Sequence, residues 1–316
     1  PYETGSKRSS ALEMALVARR YYVDDIPKSD IAAEFGISRF KVARLIDDAK
    51  AEGIVKIRVE VPATLDPVRA EKLREAFGVR QVFVVESVEQ FPGATNDLIA
   101  RVAADYLMGA VGDEDFLGIS WGSTVARVVE EIDTLPAIDV VQMVGGVWSA
   151  DLDTDGSELV RRVSRVSQGQ AYPLMAPLIV DSLATATALK GEASIVDVMG
   201  KYPRLSVALV GVGSWVPAQS SLLRLLSDAD VHEATSLGAI ADVCGIILDQ
   251  AGVPVPSEVR ARTLSITFDG LGAIPTVVAV SGGRGKGAAT NAALRSGVVD
   301  VLVTDSQCAQ EILDLL

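Results

Sequence analysis

Gly122, Ser123 and Thr124 stand where an apolar run ends and a helical pattern begins, and that placement has a definite chemistry. Backbone N–H groups at a helix start lie at the positive end of the helix dipole, so with two hydroxyls beside them they suit an anion such as phosphate. A second segment, Ser281-Gly-Gly-Arg-Gly-Lys, also joins an apolar run to a helical pattern and adds two cations, Arg284 and Lys286. Gly145-Gly146 and Gly211-Val-Gly213 close two further apolar runs. Asp242, in Gly238-Ala-Ile-Ala-Asp, precedes another. Its carboxylate either accepts hydrogen bonds from ligand hydroxyls or caps and solvates its own loop. One such turn alone means little, because tight turns use glycine regardless. Four in one sheet, one with hydroxyls and one with two cations, mark a binding site for a small anionic ligand. Neither the Walker order nor a Gly-x-Gly-x-x-Gly at a first β-α turn is present, so a nucleoside triphosphate or dinucleotide is not indicated.

Other chemistries are excluded by what is missing. Cys244 and Cys308 form no Cys-x-x-Cys pair, and His232 is the only histidine, so the sequence offers no zinc site and no disulfide framework. We expect no metal and no cofactor. His232 sits in an acidic polar stretch and reads as a surface residue rather than a catalyst.

The candidate loops need a scaffold, and residues 62–316 supply the pattern of one. Apolar β-rich runs at 81–85, 116–120, 140–144, 207–212, 243–248, 276–281 and 299–304 alternate with amphipathic stretches at 97–109, 125–132, 158–167, 220–226, 288–296 and 307–315. Continuous Val/Ile/Leu runs bounded by glycine are those of parallel strands buried on both faces. Repeated β-α alternation predicts a doubly wound, mostly parallel Rossmann-like α/β domain, in which ligands bind beyond the carboxyl ends of the strands.

Residues 1–61 follow a different plan. Over 28–46, Ile31, Ala32 and Phe35 give a short helix one apolar stripe, and Gly36 ends it in a conformation that only glycine enters freely. Ser38 is placed to N-cap a second helix with Val42, Leu45, Ile46 and Ala49 on its inner face. The opposite face carries Phe40 and Arg44, flanked by Arg39 and Lys41. That is the pattern of a helix-turn-helix whose second helix enters a DNA major groove; the alternative is a helical hairpin of some other fold. Residues 11–24 form a preceding amphipathic helix. Residues 54–61 alternate as a strand with Lys56 and Arg58 on one face, either a wing that touches phosphate or a plain edge strand. The candidate DNA-contacting residues are Ser38, Arg39, Phe40, Lys41, Arg44, Lys56 and Arg58.

Charge supports a division at residue 61. The chain has 316 residues and a net charge of −13. Residues 1–61 hold 11 Lys+Arg against 10 Asp+Glu, whereas 62–316 hold 18 against 32, a net of −14. Screening over about 8 Å separates a basic DNA face from that acidic body. Pro62 and Pro67 bracket the expected connection. No run of 18 apolar residues is present and no signal segment leads the chain, so a cytoplasmic protein is expected; Pro1 in place of Met implies that the natural start lies upstream.

With these residues in hand, the chain closely resembles the SorC-type sugar-binding transcriptional regulators of bacteria. The resemblance spans nearly the whole length. It rests on Ser38-Arg-Phe-Lys-Val-Ala-Arg-Leu-Ile, Gly118-Ile-Ser-Trp-Gly-Ser-Thr, Gly238-Ala-Ile-Ala-Asp, Ser281-Gly-Gly-Arg-Gly-Lys, and Leu302-Val-Thr-Asp-Ser with Ala309. It implies a winged helix-turn-helix over 1–61 that binds double-stranded operator DNA. It also implies an effector and oligomerisation domain over 62–316, similar to ribose-phosphate isomerase-type sugar-phosphate isomerases and deaminases. Within that domain it implies a phosphate loop at Gly122, Ser123 and Thr124, a polar contact at Asp242 and a cation at Lys286. A phosphorylated sugar or polyol is the implied effector, and a homodimer or homotetramer the expected assembly. Ala241 stands where the family commonly has Gly, Ser281 where it commonly has Ala, and the stretch after Gly146 is acidic. The alternative is a sugar-phosphate isomerase or deaminase-like enzyme. Such an enzyme needs a positioned general base, and Asp242 has no evident second acid–base residue beside it.

Overall fold

A computed structural model of the chain describes residues 4–55, 64–88, 93–147 and 155–316. Contacts divide it into two units, Pro1–Val61 and Pro62–Leu316. Of the expected strand over 54–61 only Ile54 and Val55 are described; Lys56 and Arg58 lie outside the described residues, as does 148–154 of the acidic stretch.

The first unit is three helices, α1 (Thr4–Tyr22), α2 (Lys28–Phe35) and α3 (Arg39–Ala51). α1 starts well before the expected residue 11. Gly36 ends α2 at φ 64°, and Ser38 Oγ accepts the Lys41 N–H at 3.1 Å to cap α3. Met14, Val17 and Ala18 of α1 meet Ile31 of α2 and Val42, Leu45, Ile46 and Ala49 of α3 in one small core, with Ile37 of the turn packed against it. The turn thus fixes α3 by its buried stripe and leaves the other face to solvent.

The second unit is built on strands β1 (Gln81–Val85), β2 (Phe116–Ile119), β3 (Asp139–Gln142), β4 (Ala171–Tyr172), β5 (Val207–Ser214), β6 (Ala241–Val243), β7 (Ile246–Leu248), β8 (Thr276–Val280) and β9 (Val301–Asp305). Seven of them form a parallel path in the order β1-β9-β8-β5-β2-β3-β4. Helices α4 (Pro67–Phe77), α5 (Ala94–Ala110), α6 (Ser123–Glu131), α7 (Gly156–Ser167), α8 (Leu183–Lys190), α9 (Ala193–Met199), α10 (Asp228–Ser236), α11 (Glu258–Ala261), α12 (Phe268–Gly272), α13 (Gly287–Arg295) and α14 (Ser306–Leu313) complete it. Side-chain alternation along β5 shows why the strands read as unbroken apolar runs. Val207 and Leu209 join a core with α5, α6 and α7, whereas Ala208 and Val210 join a core with α4, α13 and α14. Both faces of the sheet are therefore covered.

Three expectations are corrected. The run over 243–248 is not one strand but the hairpin β6–β7, turned at Cys244 (φ 54°) and Gly245 (φ 76°), two successive positive-φ residues as tight hairpins require. Asp242 accordingly lies inside β6, antiparallel to the end of β5, rather than in a loop before a strand. Pro67, at the far side of the expected connection, opens the first turn of α4, capped by Asp66, which accepts the Val68 and Arg69 N–H groups at 3.0 Å. The stretch 220–226 is reduced to a 3-10 turn over Ser221–Arg224.

Candidate effector site and nucleic-acid face

Because β8, β5 and β2 are neighbours, the loops leaving their carboxyl ends are brought together. They enclose a cavity of about 80 Å3 whose lining includes Ser120, Gly122, Ser123, Thr124, Gly211, Gly213, Ser220, Asp242, Ser281 and Lys286. Gly122, at φ 118°, turns the chain directly into α6, and no side chain among the described residues caps that helix. The first-turn N–H groups have no acceptor within the helix and are available to a ligand. Ser120, at 1% exposure, uses its hydroxyl to accept the Gly211 N–H at 3.3 Å, which ties the β2 loop to β5.

Asp242 and Lys286 supply the charge. Asp242 is 5% exposed, and its Oδ1 accepts bonds from Trp215 Nε1 at 3.0 Å and Ser220 Oγ at 2.5 Å. Both bonds fall on one oxygen. Gly213 pairs with Asp242 across β5 and β6, and a Cβ there would collide with Asp242 Oδ1 and Ser220 Oγ. Burial raises the Asp242 pKa, opposed by the Ser220 and Trp215 bonds and the Lys286 charge. Burial lowers the Lys286 pKa, opposed chiefly by Asp242. The Lys286 ammonium is anchored by donating to Val212 O at 3.0 Å.

The remaining sequence candidates lie elsewhere. Arg284 is exposed and lines a separate depression with Arg69, Gln310 and Glu311. The backbone around it already holds two of the protein's own carboxylates. Gly285 and Gly287 N–H groups donate to Glu311, each at 2.9 Å, and Gly283 N–H donates to Asp305 at 2.5 Å. Gly145 and Gly146 N–H groups are used by Leu264 O at 2.8 Å and Ala176 O at 2.7 Å, and neither residue lines the cavity. Sequence reading missed Ser120, Trp215 and Ser220. Serine and tryptophan next to a glycine-rich turn carry no periodic signal, and Ser220 lay in a stretch read as an amphipathic helix. His232 is exposed on α10 and does not line the cavity.

On the first unit, Phe40 is 85% exposed and Arg39 and Arg44 are exposed without an ion-pair partner among the described residues. Lys41 differs: its ammonium pairs with Glu13 of α1 at 3.0 Å. Ser38 is occupied by its capping bond.

Comparison with known proteins agrees with this architecture. Residues 64–314 match the family model described as "Putative sugar-binding domain". The transcriptional regulator LsrR of Enterobacter sp. (strain 638) is 28% identical over 309 residues, covering 96% of this chain and 93% of that protein. The deoxyribonucleoside regulator of Bacillus subtilis (strain 168) is 27% identical over 301 residues, covering 94% and 96%. The crystal structure of the full-length sorbitol operon regulator SorC from Klebsiella pneumoniae superposes with a TM-score of 0.74 at 21% identity, covering 95% of this chain and 97% of that one, and shows the shared fold. The chain belongs to this sugar-binding-domain family. With its helix-turn-helix it is a DNA-binding transcriptional regulator, as its near full-length relatives are regulators rather than enzymes. Among the described residues no helix is long and apolar enough to cross a membrane, and no three His, Cys, Asp or Glu side chains converge as metal ligands.

The burial of Asp242 gives a pH signature. A carboxyl whose folded pKa is raised stabilises the fold fully below its unfolded pKa and loses that contribution as pH rises through the folded pKa. Asp242→Asn keeps an oxygen for Ser220 and Trp215 without burying a charge. Its melting temperature should match or exceed wild type at neutral pH, and the difference should shrink on acidification. A variant least stable relative to wild type at neutral pH would show that the ionised carboxylate stabilises the site instead.

Proposed function

We propose that residues 62–316 bind a phosphorylated sugar or polyol in the cavity beneath β2, β5 and β8, and that this ligand controls operator binding by residues 1–61. The observation that carries this reading is the uncapped start of α6 sharing one small cavity with Lys286 and Asp242. Phosphate would take the N–H groups and hydroxyls of Ser123 and Thr124, with the Lys286 ammonium beside it. Hydroxyls would turn to Asp242. In a body of net charge −14, an anion requires such a local reversal of field. Deoxyribonucleosides and sorbitol, in the names of two of the similar proteins, are polyhydroxy compounds, which supports a ligand rich in hydroxyls. Arg284 is left out of the phosphate seat, since its loop N–H groups are already used by Glu311 and Asp305.

On DNA, Phe40 and Arg44 would meet base edges in the major groove, with Arg39 and Lys41 nearer the phosphates. The first unit carries a net charge of only +1, so a single copy gives a weak electrostatic footprint. Two or four copies, held together through the larger unit, would place helices on half-sites about one helical turn or a multiple apart.

Three measurements test the parts. In calorimetry with a hexitol monophosphate as probe, Lys286→Ala should lose about 1.5–3 kcal/mol, a tenfold weakening or more, because a charge-assisted bond is removed. Arg284→Ala should bind as wild type, and equal binding of the free hexitol would remove the phosphate seat. On operator DNA, Arg44→Ala should cost about 1–3 kcal/mol and relax one base position, whereas Lys41→Ala should weaken all sequences alike and flatten the salt dependence. Unchanged affinity in both variants would overturn the assignment of α3. Light scattering at micromolar concentration should give a dimer or tetramer, and a monomer with full operator affinity would refute the assembly.

A further inference from the structure

A second cavity, of about 100 Å3, shares the β6–β7 hairpin with the first. Asp242 and Cys244 of the hairpin line the first cavity, while Gly245, Ile246 and Ile247 line the second. Its wall is otherwise of a different kind. Val255, Ile266 and Phe268 continue the apolar surface, and Lys190 and Arg260 also line it. Both cations are exposed, and neither has a carboxylate partner among the described residues, although 62–316 holds 32 Asp+Glu. The neighbouring Arg262, by contrast, is paired with Asp230.

The hydroxyls of this cavity single out one atom. Thr263 Oγ1 donates to Val259 O at 2.8 Å, Ser265 Oγ donates to Ile266 O at 3.2 Å, and Thr267 Oγ1 accepts the Gly270 N–H at 3.0 Å. Ser257 is 6% exposed, and its Oγ is buried without a hydrogen-bond partner among the described residues. It precedes α11 at the capping position yet caps nothing. Buried hydroxyls in folded proteins almost always have a partner, be it protein, water or ligand, and this one belongs to a residue that lines the cavity.

We infer that this cavity is a second ligand site, which takes a small branched carboxylate with an apolar body. A sugar would bring hydroxyls that Ile246, Ile247, Val255, Ile266 and Phe268 cannot satisfy, at the full cost of their desolvation. The apolar wall takes a hydrocarbon body, and the planar Arg260 guanidinium matches a carboxylate two bonds at a time. The narrow cavity seats a short hydrocarbon body. The site differs from the proposed phosphate seat in lining, polarity and cations, although the two share the β6–β7 hairpin.

The test is a titration of the full chain, labelled at isoleucine methyl groups, with isobutyrate at low ionic strength. The Ile246, Ile247 and Ile266 signals should move together and saturate in the millimolar range. Arg260→Gln should weaken the apparent affinity about fivefold, in line with loss of one charge-assisted contact. Ser257→Ala, which removes only an unpartnered hydroxyl and leaves the fold intact, should weaken it about threefold. Lys286→Ala should leave the isobutyrate affinity unchanged, even where the Ile247 signal starts from a different position, which separates this site from the first. The inference fails if the three signals do not saturate, if isobutanol or inorganic phosphate alone gives the same response, or if Arg260→Gln titrates as wild type.

Discussion

The carboxylate of Asp242 occupies the space that a side chain at residue 213 would fill, and the cavity at the ends of β2, β5 and β8 is arranged around that substitution of one group for another. The early residues of β5 pair in parallel with β2 and β8; its last three pair in antiparallel with β6. Only a glycine at 213 lets the two strands close with a carboxylate between them. Ser220, Trp215 and Lys286 then offset the cost of burying it, two by hydrogen bonds and one by charge. Removing any one of them leaves a carboxylate that burial penalises more heavily.

Two helix starts on the same sheet have opposite fates. Both α6 and α13 follow a glycine-rich turn at the carboxyl end of a parallel strand, the arrangement that gathers free N–H groups around an anion. At α13 the anions are internal: Asp305 from β9 and Glu311 from α14 take the N–H groups of Gly283, Gly285 and Gly287. At α6 no side chain among the described residues takes that place. The difference lies in which helix packs alongside, and it divides the Gly-Gly-Arg-Gly-Lys loop into a self-satisfied side bearing Arg284 and a cavity side bearing Lys286.

Much of this was legible in the amino-acid sequence, and the failures have physical causes. Parallel strands announced themselves because Val207 to Val210 is apolar on both faces, and the second helix of the DNA unit because Gly36 and Ser38 each perform one local task. The β6–β7 turn stayed hidden because Cys244 is an apolar residue in a left-handed conformation, and neither fact shows in a pattern of hydrophobicity. The role of Glu311 was beyond reach: its partners are 24 and 26 residues away, and capping across that distance depends on how α13 and α14 pack. The convergence of three loops on one cavity needed the strand order, which no local pattern carries.

The internal capping of the 281–287 loop also bears on the entropy of recognition. Asp305 and Glu311 fix its backbone, Gln219 Nε2 donates to Arg284 O at 3.2 Å, and Val212 O anchors the Lys286 ammonium. Ordering a flexible segment takes roughly 1–2 kcal/mol per residue in backbone entropy alone. Here that loss is incurred once, on folding. A loop held in this way would not need to search for a bound shape, so an anion in the proposed seat would give up its own freedom and very little of the protein's.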